Sequence, residues 1–90
     1  MKIEIIWDEP FLRNFRKWIK KHPALKAKFE EKLTLFTEQP FHSSLKTHSL
    51  TGNLKDYWAL SITYEYRLVF KFLSENKVLL VNIGTHDEVY

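Results

Sequence analysis

An α+β fold follows from the way hydrophobic spacing changes along these 90 residues. A short alternating segment comes first, two stretches with apolar residues every three or four positions follow, and the second half switches to strict alternation. The sequence therefore predicts an N-terminal strand, a two-helix antiparallel hairpin and then an antiparallel three-stranded meander, with the helices packed on one sheet face. A chain this short leaves room for one core, so residues 1–90 are expected to form a single domain.

Ile3 and Ile5 alternate with Lys2 and Glu4, which marks a short half-buried strand able to add to the edge of a sheet. Asp8-Glu9-Pro10 then supplies a helix start. A carboxylate there can accept from free amides, and proline lacks the N–H that would find no helical partner. Phe11, Leu12, Phe15, Trp18 and Ile19 recur at helical spacing and leave Arg13, Arg16, Lys17 and Lys20 on the remaining surface. Pro23 drives His22 out of helical angles, ends the first helix and can open the second. Leu25, Phe29, Leu33 and Phe36 form the second stripe, which stops before Pro40. Farther on, Trp58, Leu60 and Ile62 alternate with Tyr57, Ala59 and Ser61. After a turn near residues 63–65, Tyr66, Leu68, Phe70 and Phe72 alternate with Arg67, Val69 and Lys71. Ser74-Glu75-Asn76 is the next tight turn, leading into a third strand over Val78–Ile83.

Composition narrows the function. At 44% hydrophobic and 16% aromatic, the chain has the large side chains of a packed core rather than of a disordered tail. With no cysteine there is neither a disulfide framework nor a thiolate metal site. Charged residues interrupt the first twenty positions, which excludes a secretory signal, and no later apolar run reaches membrane-spanning length; the cytoplasm is the expected location, with no membrane partner. The formal charge of +3 conceals a strong local excess, because residues 11–33 carry eight basic side chains against two acidic ones. A polyanionic partner fits that asymmetry, as does an ordinary solvated helix face.

Alternation puts Arg67 and Lys71 on the sheet face opposite Leu68, Phe70 and Phe72. A guanidinium fixed on a strand can grip a phosphate through two parallel N–H groups, or simply pair with Glu65. Of the four histidines, His22 and His42 stand beside prolines in turns and are expected to be solvated. His48 lies in the loop before the meander and His86 follows its last strand, so both can reach one rim of the sheet that carries Arg67. Imidazole gives or takes a proton near neutral pH, and two of them beside an arginine suit phosphate chemistry. No metal-binding or nucleotide motif is present, the acids do not cluster, and no cofactor is expected.

Two stretches carry a resemblance. Leu50-Thr51-Gly52-Asn53-Leu54-Lys55-Asp56-Tyr57-Trp58, followed by Ser61-Ile62-Thr63-Tyr64-Glu65-Tyr66-Arg67-Leu68-Val69-Phe70, resembles the core of the RelE/ParE superfamily of bacterial toxins. The ending Ile83-Gly84-Thr85-His86-Asp87-Glu88-Val89-Tyr90 is similar to that of its YafQ and YoeB branches. The resemblance implies a RelE-like toxin of a type II toxin–antitoxin system, a ribosome-dependent endoribonuclease that cuts mRNA in the A site by metal-independent attack of the ribose 2′-hydroxyl. It implies a cognate antitoxin, the ribosome and mRNA as partners. His48 would be the base, Arg67 the phosphate ligand, His86 the acid and Tyr90 a terminal aromatic that stacks on a base. Lys46, Lys55, Tyr66 and Lys71 would contact the RNA, and the helix lysines would face ribosomal RNA. The chain departs from the YafQ pattern at Ser61, Glu65 and Asn82, which leaves Glu65 as an alternative base. A different class also remains, a ParE-like gyrase inhibitor without catalysis; that branch shares the fold but generally lacks the histidine pair.

Overall fold

The computed structural model describes residues 2–90. The chain runs β1 (Glu4–Ile6), α1 (Glu9–Lys21), a 3-10 turn at Pro23–Leu25, α2 (Lys26–Glu38), β2 (His48–Ser49), β3 (Trp58–Ser61), β4 (Tyr66–Ser74), β5 (Lys77–Thr85) and α3 (His86–Val89). Asp8 caps α1 by accepting from the Phe11 amide at 3.0 Å, and Pro10 occupies its first turn. His22 ends that helix at φ −131°, as the following proline requires.

The strands form one sheet in the order β1-β5-β4-β3-β2. β1 joins the edge parallel to β5, while the remaining neighbours are antiparallel. The sheet thus extends the expected three-stranded meander at both ends. β2 was not expected: residues 48–49 pair with Trp58 and Ala59 instead of forming a loop. β4 and β5 exchange a long ladder broken between Val69 and Phe70, where Val81 is the extra residue of a bulge.

Both long helices cover one face. Phe11 and Trp18 from α1 and Phe29 and Phe36 from α2 pack with Leu60, Ile62, Leu68, Phe70, Val78 and Leu80 in a single buried cluster. Phe36 and Phe70 meet edge-on with ring centroids 4.8 Å apart. Burying each such phenylalanine contributes about 1.5–3 kcal/mol, so these four helix residues account for much of the force that seats the hairpin. Asn14 on α1 adds a polar tie, donating to the side chain of Asn82 and to the Ile83 carbonyl on β5. The second face is covered only in part, by Leu54, Tyr57 and Val89 around Val69 and Val81. No helix among the described residues is long and apolar enough to cross a membrane.

Candidate active site

Strand register sets the position of the candidate phosphate ligand. Arg67 is the second residue of β4, opposite Ser61 on β3 and Gly84 on β5, so it stands near the β3–β4 turn rather than in mid-strand. Its Nη1 donates to the carbonyls of Thr63 at 3.2 Å and Tyr64 at 2.9 Å. Those two bonds, in place of the ion pair with Glu65 that the sequence allowed, fix the guanidinium over the turn. The Nε and Nη2 donors remain for a ligand.

β5 then delivers the end of the chain to the same place. Thr85 Oγ1 accepts from the Glu88 amide at 3.4 Å, and Glu88 Oε1 accepts from the Thr85 amide at 2.7 Å, a reciprocal cap that starts α3. These bonds from Thr85, the backbone one first, hold the Glu88 carboxyl below its ordinary pKa. A Cβ on Gly84 would lie 3.0 Å from Glu88 Oε1 and 3.1 Å from Glu88 Cβ. Glycine is therefore what permits α3 to fold back so closely over β5. The turn presents His86 and Tyr90 side by side, their ring centroids 4.4 Å apart and nearly perpendicular. His86 Nδ1 also stands 3.6 Å from Asp87 Oδ1.

His48 arrives from β2. Its Nδ1 is 2.8 Å from the carbonyl oxygen of Lys46, whose left-handed φ of 51° makes the turn into the strand. A carbonyl only accepts, so Nδ1 carries the proton and Nε2 of the neutral ring keeps its lone pair as a base.

Tyr90 connects these groups. With His48, Ser49, Leu50, Thr51 and Leu54 it lines a cleft of about 350 Å³, and its ring touches His86. Burial pushes the Tyr90 phenol pKa up, while the Arg67 charge opposes the shift. Arg67 and His86 share a second cleft of about 370 Å³ with Tyr64, Glu65, Thr85 and Asp87. His48, Arg67, His86 and Tyr90 thus gather around α3 at one end of the sheet. Glu65, the alternative base, lies on the Arg67–His86 side of the cluster and not on the His48 side.

The other sequence-predicted contacts divide. Lys46 lines a third cleft with Arg67. Lys71 shares the Arg67 face, about 13 Å along β4, with its Nζ 5.9 Å from the Tyr57 ring centroid. Lys55 is exposed after the Gly52–Leu54 turn. Tyr66 does not join them: it points to the helix face, where its ring packs edge-on against Trp18 at 5.5 Å and its hydroxyl is 3.1 Å from His22 Nε2. That contact also corrects His22, which is half-buried rather than a solvated turn residue. His42 is exposed as expected and accepts from the Ser44 amide. Asn82, one of the departures from the YafQ pattern, is spent on the tie to α1. Sequence reasoning passed over Tyr64 at the turn tip and the capping role of Glu88, although Thr85-His86-Asp87-Glu88 has the spacing of a capping box. Among the described residues no group of three histidine, cysteine or acidic side chains is placed to hold a metal ion.

Comparison with known proteins agrees with this fold. YafQ from E. coli BL21(DE3) has a similar structure, with a TM-score of 0.79 at 20% identity over 99% of each chain. The E. coli DinJ–YafQ toxin–antitoxin complex gives 0.78 at 21% identity, covering 100% of this chain and 99% of that one. A YoeB/ParE toxin from Agrobacterium tumefaciens gives 0.75 at 20% identity, covering 93% and 99%. No curated protein sequence matches significantly. The family model described as "Bacterial toxin of type II toxin-antitoxin system, YafQ" matches residues 3–90, from the first strand through the terminal tyrosine beside His86. The chain therefore belongs to the YafQ family and is a toxin of the type II toxin–antitoxin class.

Proposed function

We propose that this toxin is an endoribonuclease that cuts mRNA on the ribosome in the cytoplasm, and that a cognate antitoxin neutralises it. The observation that supports the reading is that Tyr90 lines one cleft with His48 and packs against His86, which shares the neighbouring cleft with Arg67. His48 Nε2 takes the proton of a ribose 2′-hydroxyl. The 2′-oxygen attacks the adjacent phosphorus, and the crowded phosphate gains its negative charge beside the Arg67 guanidinium, already oriented by two carbonyls. The bond from phosphorus to the 5′-oxygen breaks, and His86 supplies the proton that this oxygen needs. The products are a 2′,3′-cyclic phosphate and a free 5′-hydroxyl. Tyr90 supplies a face on which a base can stack. Lys46, Lys55 and Lys71 contact the substrate backbone, and the lysines of α1 contact ribosomal RNA.

The test is cleavage of mRNA in a reconstituted translation system, with 5′ ends mapped. Wild type should cut, and His86→Ala should cut about 100-fold or more slowly, the usual cost of losing a general acid. Undiminished cutting by His86→Ala would remove that residue from the mechanism. Inhibition of gyrase supercoiling without any cleavage would overturn the reading in favour of a ParE-like activity.

A further inference from the structure

Arg67 and Tyr64 border two clefts on either side of the β3–β4 turn. One is the cleft shared with His86; the other, of about 250 Å³, is lined by Lys28 and Lys32 of α2, Lys46, Ser44 and the turn residues 61–64. The two differ in charge. Glu65 and Asp87 border the first, whereas the second has four cationic side chains, Arg67 included, and no acid in its lining. Lys28 does reach Glu31 at 3.7 Å, but both side chains are largely exposed, and such a pair yields readily to a stronger anion. Tyr64 stands on the crest between the clefts and is 93% exposed, the most exposed large apolar side chain of the described residues. Its backbone is not free to drift, because its carbonyl holds the Arg67 guanidinium.

An aromatic ring exposed to solvent at a fixed turn, with a guanidinium bound to its backbone carbonyl and lysines in the adjoining cleft, has the parts of a single-strand track. The ring offers a stacking face to a base of any identity, and the cations follow the backbone. We propose that the RNA strand continues over the β3–β4 turn. A base flanking the scissile step stacks on Tyr64, and the next two phosphates lie along the cleft of Lys28, Lys32 and Lys46. This subsite deepens the endoribonuclease reading and rests on it for the nature of the strand. It adds a binding surface on α2 and the turn, distinct from the reacting groups His48 and His86.

The experiment measures binding of a short single-stranded RNA carrying 2′-deoxyribose at the cleavage position, across a range of salt. Tyr64→Ala should weaken binding about 5- to 100-fold, the loss of one base–aromatic stack, while Tyr64→Phe should stay within about twofold of wild type. The Lys28→Gln/Lys32→Gln double variant should flatten the slope of log affinity against log salt by about 1.4, two single-strand phosphate contacts. Lys77→Gln, exposed at the start of β5 and opposite the end that carries Thr85, serves as the control and should leave the slope unchanged. The ring of Tyr64 lies outside the core, so these changes leave folding intact. Equal binding by Tyr64→Ala and wild type overturns the subsite, as does an equal loss in Tyr64→Phe or no binding by any form. The mRNA cleavage assay separates the two proposals. Cleavage without these binding differences removes the subsite alone, and the differences without cleavage remove the endonuclease alone.

Discussion

At the residue scale, the proposed reaction needs a group that takes the 2′-hydroxyl proton. His48 and Glu65 both border the cluster, from opposite sides. A base must offer a lone pair in the required direction and must not be neutralised by what surrounds it. His48 meets the first condition because the Lys46 carbonyl fixes the proton on Nδ1 and leaves Nε2 to accept. Glu65 is exposed at the β3–β4 turn and lines the cleft of Arg67 and His86, away from the His48 side. His48→Ala should therefore lower the cleavage rate about 100-fold or more, whereas Glu65→Gln should change it by less than about threefold. Single-turnover rates on programmed ribosomes check this, and the opposite ranking would transfer the role to Glu65. The individual side chains were legible in the sequence because imidazole and guanidinium chemistry does not depend on fold. Their neighbours were not. An ion pair with Glu65 was one of the partners the sequence allowed Arg67, but the carbonyls of its own turn hold it, an outcome of backbone conformation that residue type does not encode. Tyr66 is the instructive error: it alternates with Arg67, so parity alone placed it with Leu68 and Phe70 on the helix face, against the RNA contact drawn from the resemblance.

At the element scale the site depends on α3, a single turn that carries both His86 and Tyr90. So short a helix has no intrinsic stability, and its position comes from the Thr85–Glu88 cap and from close contact with β5. Gly84→Ala would bring a methyl group to 3.0–3.3 Å from Glu88 and Val89, so α3 must give by a few tenths of an ångström. The expected outcome is a protein that still folds, with its main core untouched, but that loses cleavage activity about tenfold or more through displacement of His86. Retained activity, together with unchanged His86 ring shifts by NMR, would show that the turn tolerates the group. The same cap carries a pH dependence. Glu88 is held below its ordinary value of 4.5, so its contribution to α3 is complete above that pH and fades as pH falls through the lower folded value. The Thr85 amide shift should follow an acid titration with a midpoint below 4.5, and Glu88→Gln should abolish that titration. Elements with several periods were legible: α1, α2, β3, β4 and β5 each repeat their pattern often enough to declare it. β2 spans two residues and α3 four, too few for periodicity, and β2 exists only because β3 offers it an edge.

At the scale of the whole molecule, cationic charge is distributed over two surfaces, one at the candidate active site and one on the helix layer. The body measures 32 × 28 × 26 Å, small enough that the sheet-end cluster and the outer face of α1 can engage neighbouring polyanions together. Arg67, Lys28, Lys32 and Lys46 border one cleft beside the candidate active site, whereas Arg13, Arg16, Lys17, Lys20 and Lys21 belong to α1 on the helix layer. The formal charge of +3 blends these surfaces into one number, which is why it said little about function on its own. Counterion release separates them. If about four cations contact phosphates of a single strand, log affinity for a short RNA should fall with log salt at a slope of about −3. Binding to intact ribosomes should fall more steeply, because the α1 lysines then release further counterions from ribosomal RNA. The triple variant Lys17→Gln/Lys20→Gln/Lys21→Gln should bring the ribosome slope down toward the short-RNA slope while leaving the latter unchanged. Parallel titrations of the two ligands read both values. Equal slopes for wild type on the two ligands would mean that the α1 lysines serve solubility alone, and that recognition is confined to the clefts that flank Arg67 and Tyr90.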